Sequence, residues 1–349
     1  MKVHVRCGGQ LKRALGWAER SVELPPHATV ASLLESIATS VPPDAARFLL
    51  DVHDARPAAL LVSRNGEQVA LGADPVLADG DQITFLPPIS GGTGELPPLS
   101  DAERAFYEWQ IDVAGLGETG QRKLKAATVL VSRVGGIGGV AALELAAAGV
   151  GRIVLAHAGN ARISDLHRQV LLDHSAVGKP RVETFAARLL ALNPHIQVLA
   201  IGENITAANA ERLVALADVV LDAAPRFEER LELNRACVKL QRPIVECAMY
   251  ELEATLTTIL PGTTPCLGCL VPSPPAAWSR RFPVLGAVSG AVGSLGATEV
   301  VKLITGIGEP LLGRMLRLDL AAMRFETIAL KRDPACAICG TKRRTIRQD

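Results

Sequence analysis

The sequence predicts an α/β chain of two units, a small domain of short strands around one helix and then a larger doubly wound parallel sheet. Three observations carry this. Up to about Pro88, short alternating strands flank a single amphipathic helix. From Thr128 onward, continuous apolar runs alternate with Ala- and Leu-rich helical stretches, the pattern of strands covered on both faces by crossover helices. Between the two, the string Pro-Pro-Ile-Ser-Gly-Gly-Thr-Gly-Glu-Leu-Pro-Pro has no hydrophobic period and reads as an exposed connection.

In the first unit, Val3–Arg6 alternates like a strand and Ala18–Leu24 gives a second. Val30–Ser40 reads as a helix. Thr29 is its N-cap, and Val30, Leu33, Leu34 and Ile37 recur at helical spacing. Ala59–Val62 is a strand, Asn65-Gly66 a tight turn and Val69–Leu71 the return. Asp79-Gly80-Asp81 turns into a last strand, Gln82–Leu86. The order β-β-α-β-β-β is that of a β-grasp domain.

The second unit opens near Leu99. Thr128–Ser132 is a strand running into a Gly-rich turn, and Val140–Ala148 a helix ending at Gly149. Strands follow at Arg152–Ala156, Gln197–Ile201, Asp218–Asp222 and Pro243–Glu246, with a helix over Arg181–Leu192. Ala254–Leu260, closed by Pro261-Gly262, reads as an antiparallel extension. The expected domains are therefore residues 1–90, a linker over 91–98, and 99–349.

Charge and composition exclude some functions. The net charge is +1 and the pI about 7.6, so no global field points to nucleic acid or a membrane surface. Aromatics make up only 3%, so the cores must be built from Ala, Val, Leu and Ile. No apolar segment follows MKVHVR at the start, and the apolar runs Leu143–Val150 and Ala287–Val301 are interrupted short of spanning length. The reading is a soluble cytoplasmic protein.

Four of the seven Cys form two knuckles, Cys266-Leu267-Gly268-Cys269 and Cys336-Ala337-Ile338-Cys339. Four thiolates at this spacing suit a closed, structural Zn²⁺ site. The other reading is two unrelated redox or free pairs; the flanking Pro265, Pro272, Pro334 and Gly340 favour turns and the metal. Cys237 and Cys247 sit in apolar contexts and read as core; Cys7 reads as core or surface.

The N-terminal unit resembles the MoaD/ThiS ubiquitin-like sulfur carriers. The residues that carry this are Leu24-Pro25-Pro26, Leu60-Leu61-Val62 with Asn65-Gly66, and Leu77-Ala78-Asp79-Gly80-Asp81-Gln82-Ile83 running to Ile89-Ser90-Gly91-Gly92. The resemblance implies a carrier tail at Gly91 and Gly92, whose carboxylate is adenylated and then converted to a thiocarboxylate. On composition alone the two glycines equally begin a linker. Here the chain continues through Thr93, so Gly92 has no free carboxylate unless the tail is cut.

From Leu99 to Lys342 the chain resembles the MoeB/ThiF/HesA activating enzymes, which implies a Rossmann-like fold that binds ATP·Mg. Gly135-Gly136-Ile137-Gly138, Ser164-Asp165-Leu166-His167-Arg168-Gln169, Gly178-Lys179-Pro180, Leu192-Asn193-Pro194 and the helix around Gly290-Ala291-Val292-Gly293 carry it. The resemblance implies that Gly135, Gly136 and Gly138 are a phosphate loop and that Arg168 and Gln169 are retained site positions. It also exposes departures. Arg133 stands where the family's loop begins with Gly. His157 and Gly159 replace two Asp, one of which holds the ribose. Phe106 and Trp109 replace an Arg pair, Arg181 replaces the catalytic Lys, and Pro225, beside Arg226, replaces the metal-binding Asp. Ser279 lies where some members carry the transfer Cys.

Two function readings follow. In the first, the site is dismantled, ATP·Mg binds weakly or not at all, and the protein is a pseudoenzyme that acts as a scaffold or regulatory partner of sulfur-carrier or ubiquitin-like pathway proteins. The alternative is a working adenylyltransferase/sulfurtransferase acting on a Gly-Gly tail, its own after cleavage or a partner's. A further possibility is that Arg133, Arg168, Arg181 and Arg226 bind a different anion. His167 and His174 read as capping or solvent-facing, and Asp222 as structural. The resemblance also implies a homodimer through the second unit.

Overall fold

The computed structural model describes residues 1–7, 11–12, 15–46, 49–50, 60–69, 74–86, 96–275 and 283–340. The chain divides into two compact units, Met1–Ile89 with Thr305–Glu309, and Ser90–Ile304 with Pro310–Asp349. Gly91, Gly92 and Ser279 lie outside the described residues.

The first unit is a five-stranded mixed sheet in the order β2-β1-β5-β3-β4. Its strands are β1 (Lys2–Cys7), β2 (Glu19–Glu23), β3 (Leu61–Arg64), β4 (Glu67–Gln68) and β5 (Gln82–Leu86). β1 pairs antiparallel with β2 and parallel with β5. Burial alternates along β1, so Val3, Val5 and Cys7 face the core. Helix α1 (Val30–Thr39) buries Val30, Leu33, Leu34, Ile37 and Ala38. Its start is the predicted one: Thr29 accepts from the Ser32 amide, and Ser32 accepts from the Thr29 amide. Asn65 and Gly66 both have positive φ, 53° and 87°, the geometry of a two-residue hairpin turn that twists with its strands. Such a turn pairs the residues that flank it, Arg64 with Glu67. Among the described residues the hairpin strands hug the turn, with β3 reaching Arg64 and β4 starting at Glu67; Ala59, Ala70 and Leu71 of the predicted strands lie outside the described residues.

The second unit holds an eight-stranded sheet in the order β13-β12-β11-β10-β9-β6-β7-β8. β6 (Thr128–Ser132), β7 (Arg152–Ala156), β8 (Gln197–Ile201), β9 (Val219–Asp222) and β10 (Ile244–Tyr250) are parallel neighbours. β11 (Glu253–Ile259), β12 (Arg314–Asp319) and β13 (Arg324–Ala329) continue as an antiparallel meander. The chain runs outward from β6 through β7 to β8, then returns to place β9 on the other side of β6. That reversal opens a crevice at the carboxyl ends of β6 and β9.

The principal helices are α2 (Asp101–Phe106), α3 (Gly117–Ala126), α4 (Gly136–Ala147), α5 (Arg181–Leu192), α6 (Phe227–Leu240) and α7 (Gly286–Thr305). α4 begins inside the glycine run, four residues before the predicted Val140, because its first turn packs where only glycines fit. A Cβ on Gly138 would meet the Arg133 carbonyl oxygen at 2.6 Å, and one on Gly136 would meet the Ser289 side chain at 2.8 Å. β10 runs past the predicted Glu246 to Tyr250, carried by its antiparallel register with β11.

α7 corrects one expectation. Its 20 residues are long and apolar enough, by length and composition, to cross a membrane. However, 56% of its apolar stretch is buried. A Cβ on Gly293 would meet the Ile137 carbonyl oxygen at 2.6 Å, and one on Gly296 the Cys247 sulfur at 2.7 Å. Buried Glu299 accepts from Thr258 Oγ1 at 2.6 Å and from the Leu311 amide at 2.7 Å. α7 is a core helix whose polar side is tied to the sheet.

Candidate functional site

The crevice widens into a cleft of about 1460 Å³. Arg133, Gly135, Gly136, Arg168, Gln169, Arg181, Pro225 and His157 all line it, so the topology brings together the residues singled out from separate stretches of sequence. Gly138 is set back from the cleft wall, in packing contact with Arg133. The first amides of α4 have no acceptor within their own helix and face this end of the sheet.

Arg133 directly follows β6 with φ +59°, left-handed backbone that a non-glycine residue adopts at a cost of about 1–2 kcal/mol. Its amide donates to the Ala156 carbonyl at 2.9 Å. Its guanidinium turns to the first turn of α6, where Nε and Nη2 each donate to Glu229 at 2.6 Å. Both side chains are about nine-tenths covered, at 12% and 10% exposure. The pair is bidentate and nearly dry, so the arginine's charge is met inside the protein.

The other cationic groups are engaged in a similar way. Arg181 lies 3.3 Å from Asp165 and donates to the carbonyls of Gly159 and Asn160. Burial lowers its pKa below the ordinary arginine value, against the opposing pull of Asp165. Arg168 donates to the same Asp165 at 3.0 Å and to the Ser164 carbonyl at 2.7 Å. Arg226 pairs with exposed Glu228 at 3.5 Å. The open anion site that four arginines suggested is thus a set of engaged arginines: Arg133 has Glu229, Arg168 and Arg181 share Asp165, and Arg226 lies off the cleft lining.

His157 is buried on the cleft wall, its ring 6.1 Å from that of Phe185. Burial, then the charges of Arg181 and Arg133, push its imidazole down to about 3, so it is neutral at physiological pH. Its Nδ1 and the Gln169 Oε1 are buried without a partner in the protein. Pro225 lines the cleft where the resemblance places a metal-binding carboxylate, and a proline side chain ligates nothing.

Part of the cleft wall is a buried cluster that sequence reading did not find, with Arg230 and Glu246 on the lining. Arg230 on α6 is held by Glu246 and lies 3.5 Å from Asp222, while it donates to the Cys247 carbonyl at 2.8 Å. Ser132 Oγ donates to Asp222 at 2.9 Å. Burial raises the Asp222 and Glu246 carboxyls, opposed by the Arg230 charge. Glu229, Arg230 and Glu246 gave no spacing signal; only the acidic first turn of α6 marked the region.

Apart from the cleft, Cys266, Cys269, Cys336 and Cys339 bring their sulfurs to within 4.8 Å of one another. Cys266 and Cys336 sulfurs are 3.8 Å apart, and those of Cys269 and Cys339 are 3.4 Å apart. A tetrahedron of Zn–S bonds near 2.3 Å spaces its sulfurs by about 3.8 Å, so the four thiols fit such a metal. Glycines shape the knuckles: a Cβ on Gly340 would meet the Cys336 carbonyl oxygen at 2.4 Å. Asn234 of α6 accepts from the Leu267 amide at 3.0 Å and docks the first knuckle. Cys7, Cys237 and Cys247 are buried in the cores. Phe106 and Trp109 stand exposed at 42% and 86%.

Both units have counterparts among known proteins. The profile of the ThiF family matches residues 107–338, and that of the ThiS family residues 5–92. The chain is 49% identical over 243 residues to "Protein HesA, heterocyst" of Trichormus variabilis, covering 69% of this chain and 91% of that protein. It is 35% identical over 243 residues to the sulfur carrier protein adenylyltransferase of Thermus thermophilus, covering 67% of this chain and 90% of the relative. Among solved structures, E. coli MccB crystallised with ATP matches with a TM-score of 0.58 and 27% identity, over 64% of this chain and 69% of MccB. A ThiF-type match across more than half of its length, with a ThiS-type unit ahead of it, places the chain in the ThiF family.

Proposed function

We propose that this sulfur-carrier pathway protein keeps the activating fold but does not adenylate, and that it acts by binding, as a scaffold or regulatory partner of a ubiquitin-like carrier. The observation that carries this reading is the pairing of Arg133 with Glu229 and of Arg181 with Asp165. Attack on an α-phosphate needs uncompensated cations and a carboxylate for the metal. At this cleft Arg133 is neutralised by Glu229, Arg181 and Arg168 share Asp165, and Pro225 stands at the metal position. His157 is neutral and Gly159 has no side chain, so neither replaces a carboxylate on the ribose hydroxyls. The chain's continuation past Gly92 fits the same reading, since an internal glycine has no carboxylate to activate.

The four-cysteine cluster is read as structural zinc, the ion that closes a sphere of four thiolates. Two C-x-x-C pairs arranged to hold a metal rather than disulfides support a reducing, cytoplasmic compartment. Exposed Phe106 and Trp109 support a homodimer through the second unit.

The alternative reading, an active adenylyltransferase and sulfurtransferase, is favoured by the open cleft with Arg168, Gln169, Gly135 and Gly136 still on its wall. ATP–pyrophosphate exchange on the purified full chain, with and without a carrier ending in Gly-Gly, separates the two. No exchange, together with no calorimetric ATP·Mg binding at micromolar concentration, is the expected result. Exchange above background would establish the alternative.

A further inference from the structure

Three cations at the phosphate end of the cleft meet two carboxylates: Arg181 and Arg168 share Asp165, and Arg133 has Glu229 to itself. Arg181 stands at the start of α5. Arg133 directly follows β6, and its Glu229 is 96 residues away. The second pair is the better isolated. Glu229 sits in the first turn of α6, where the helix dipole favours a negative side chain, and both of its oxygens are used by Arg133. Arg133 lines the cleft while Glu229 stands behind it, so the carboxylate does not fill the space but cancels the field.

We infer that Glu229 sets the charge of the ligand the cleft admits: by neutralising Arg133 it turns away polyphosphates, and the cleft takes a ligand of low charge at this end. This rests on the non-adenylating reading above. The remaining wall suits such a ligand. Ile137, Met249 and Val284 contribute apolar surface, while neutral His157 and the Gln169 amide oxygen bring polar atoms that lack partners in the protein. An approaching anion meets a dipole rather than a cation, and most of the attraction of an isolated guanidinium is lost.

The test uses inorganic tripolyphosphate, without added metal, titrated calorimetrically into the full chain. Wild type is expected to bind weakly. Glu229→Gln, which keeps the shape and removes the charge, should bind roughly tenfold tighter or more, with the gain shrinking as salt rises. Glu228→Gln removes the same charge one residue away from an exposed side chain whose partner, Arg226, lies off the cleft lining, and should change nothing. Adding Arg133→Gln to Glu229→Gln should erase the gain. If Glu229→Gln does not fold, Glu229→Asp draws the carboxylate back by one methylene and should give a smaller gain. Binding unchanged in the Glu229 variants, or an equal gain in Glu228→Gln, overturns the inference. Tight ATP·Mg binding by wild type would overturn the non-adenylating reading instead. The ratio of Glu229→Gln to wild type on tripolyphosphate still decides the role of Glu229.

Discussion

Arg230 on α6 and Asp222 at the end of β9 lie 3.5 Å apart, buried at the cleft wall, with Glu246 completing the cluster. One guanidinium there serves two carboxylates. Arg230→Leu would leave both carboxylates without a cation, and a loss of about 3–5 kcal/mol in urea unfolding at neutral pH is expected. The pH dependence follows from the raised carboxyls. A group more basic in the folded chain stabilises it below the unfolded pKa, and that contribution fades as pH rises through the folded value. The deficit of Arg230→Leu should therefore shrink as the pH is lowered from 7.5 toward 5.

His157 works in the opposite direction. Its folded value of about 3 lies below the ordinary 6.5. Between these values the unfolded chain carries a proton that the folded chain refuses. Stability from this group is complete above about 6.5 and falls as the pH drops toward 3, by at most about 1.4 kcal/mol per pH unit. His157→Gln should flatten this acid slope. Unfolding free energies at pH 7 and pH 4.5 measure it, and an unchanged slope would show that another group carries it.

Metal analysis of protein purified without added zinc should find one zinc per chain, with X-ray absorption showing four sulfur neighbours. Cys266→Ser should lose the metal and several kcal/mol of stability. Disulfides within the knuckles, or a metal-free wild type of equal stability, would remove zinc from the account.

Two glycines only three residues apart should respond differently to alanine. A Cβ on Gly138 meets a backbone oxygen at 2.6 Å, whereas the nearest atom to one on Gly135 is 3.8 Å away. Gly138→Ala should destabilise by about 1–3 kcal/mol as the loop shifts, and Gly135→Ala by less than about 1 kcal/mol. Thermal melts of the two variants decide it.

A dimer through the face bearing Trp109 should appear in sedimentation at micromolar concentration. Trp109 is 86% exposed in one chain, so Trp109→Glu should leave the fold intact and shift the equilibrium to monomer. A wild-type monomer at those concentrations would refute the dimer.

Where apolar runs were bounded by polar or glycine turns, the sequence was read to the residue. Thr128–Ser132, Arg152–Ala156, Gln197–Ile201 and Arg181–Leu192 all match their elements. Strands that bury nothing left no such trace. β13 is exposed along its whole length and β12 mostly half-buried, and neither was anticipated. Gly136 and Gly138 are weak helix formers, so the first turn of α4 exists through packing that no local pattern records. At the cleft, the altered positions were legible one by one. That Arg133 would find Glu229 and Arg181 would find Asp165 was not, because pairing across 96 residues is a property of the fold.

The knuckles have a consequence for how the chain is made. Cys266 and Cys336 are 70 residues apart, and α7, β12 and β13 all lie between them. Two thiols emerge early in synthesis and wait, incomplete, until the final hairpin has been built and folded back. A ribosome that stops anywhere in that interval releases a chain that cannot close its four-sulfur sphere, and the loop it would have tied off remains open at the full entropic cost. If the four sulfurs hold a metal, its content would separate finished molecules from truncated ones.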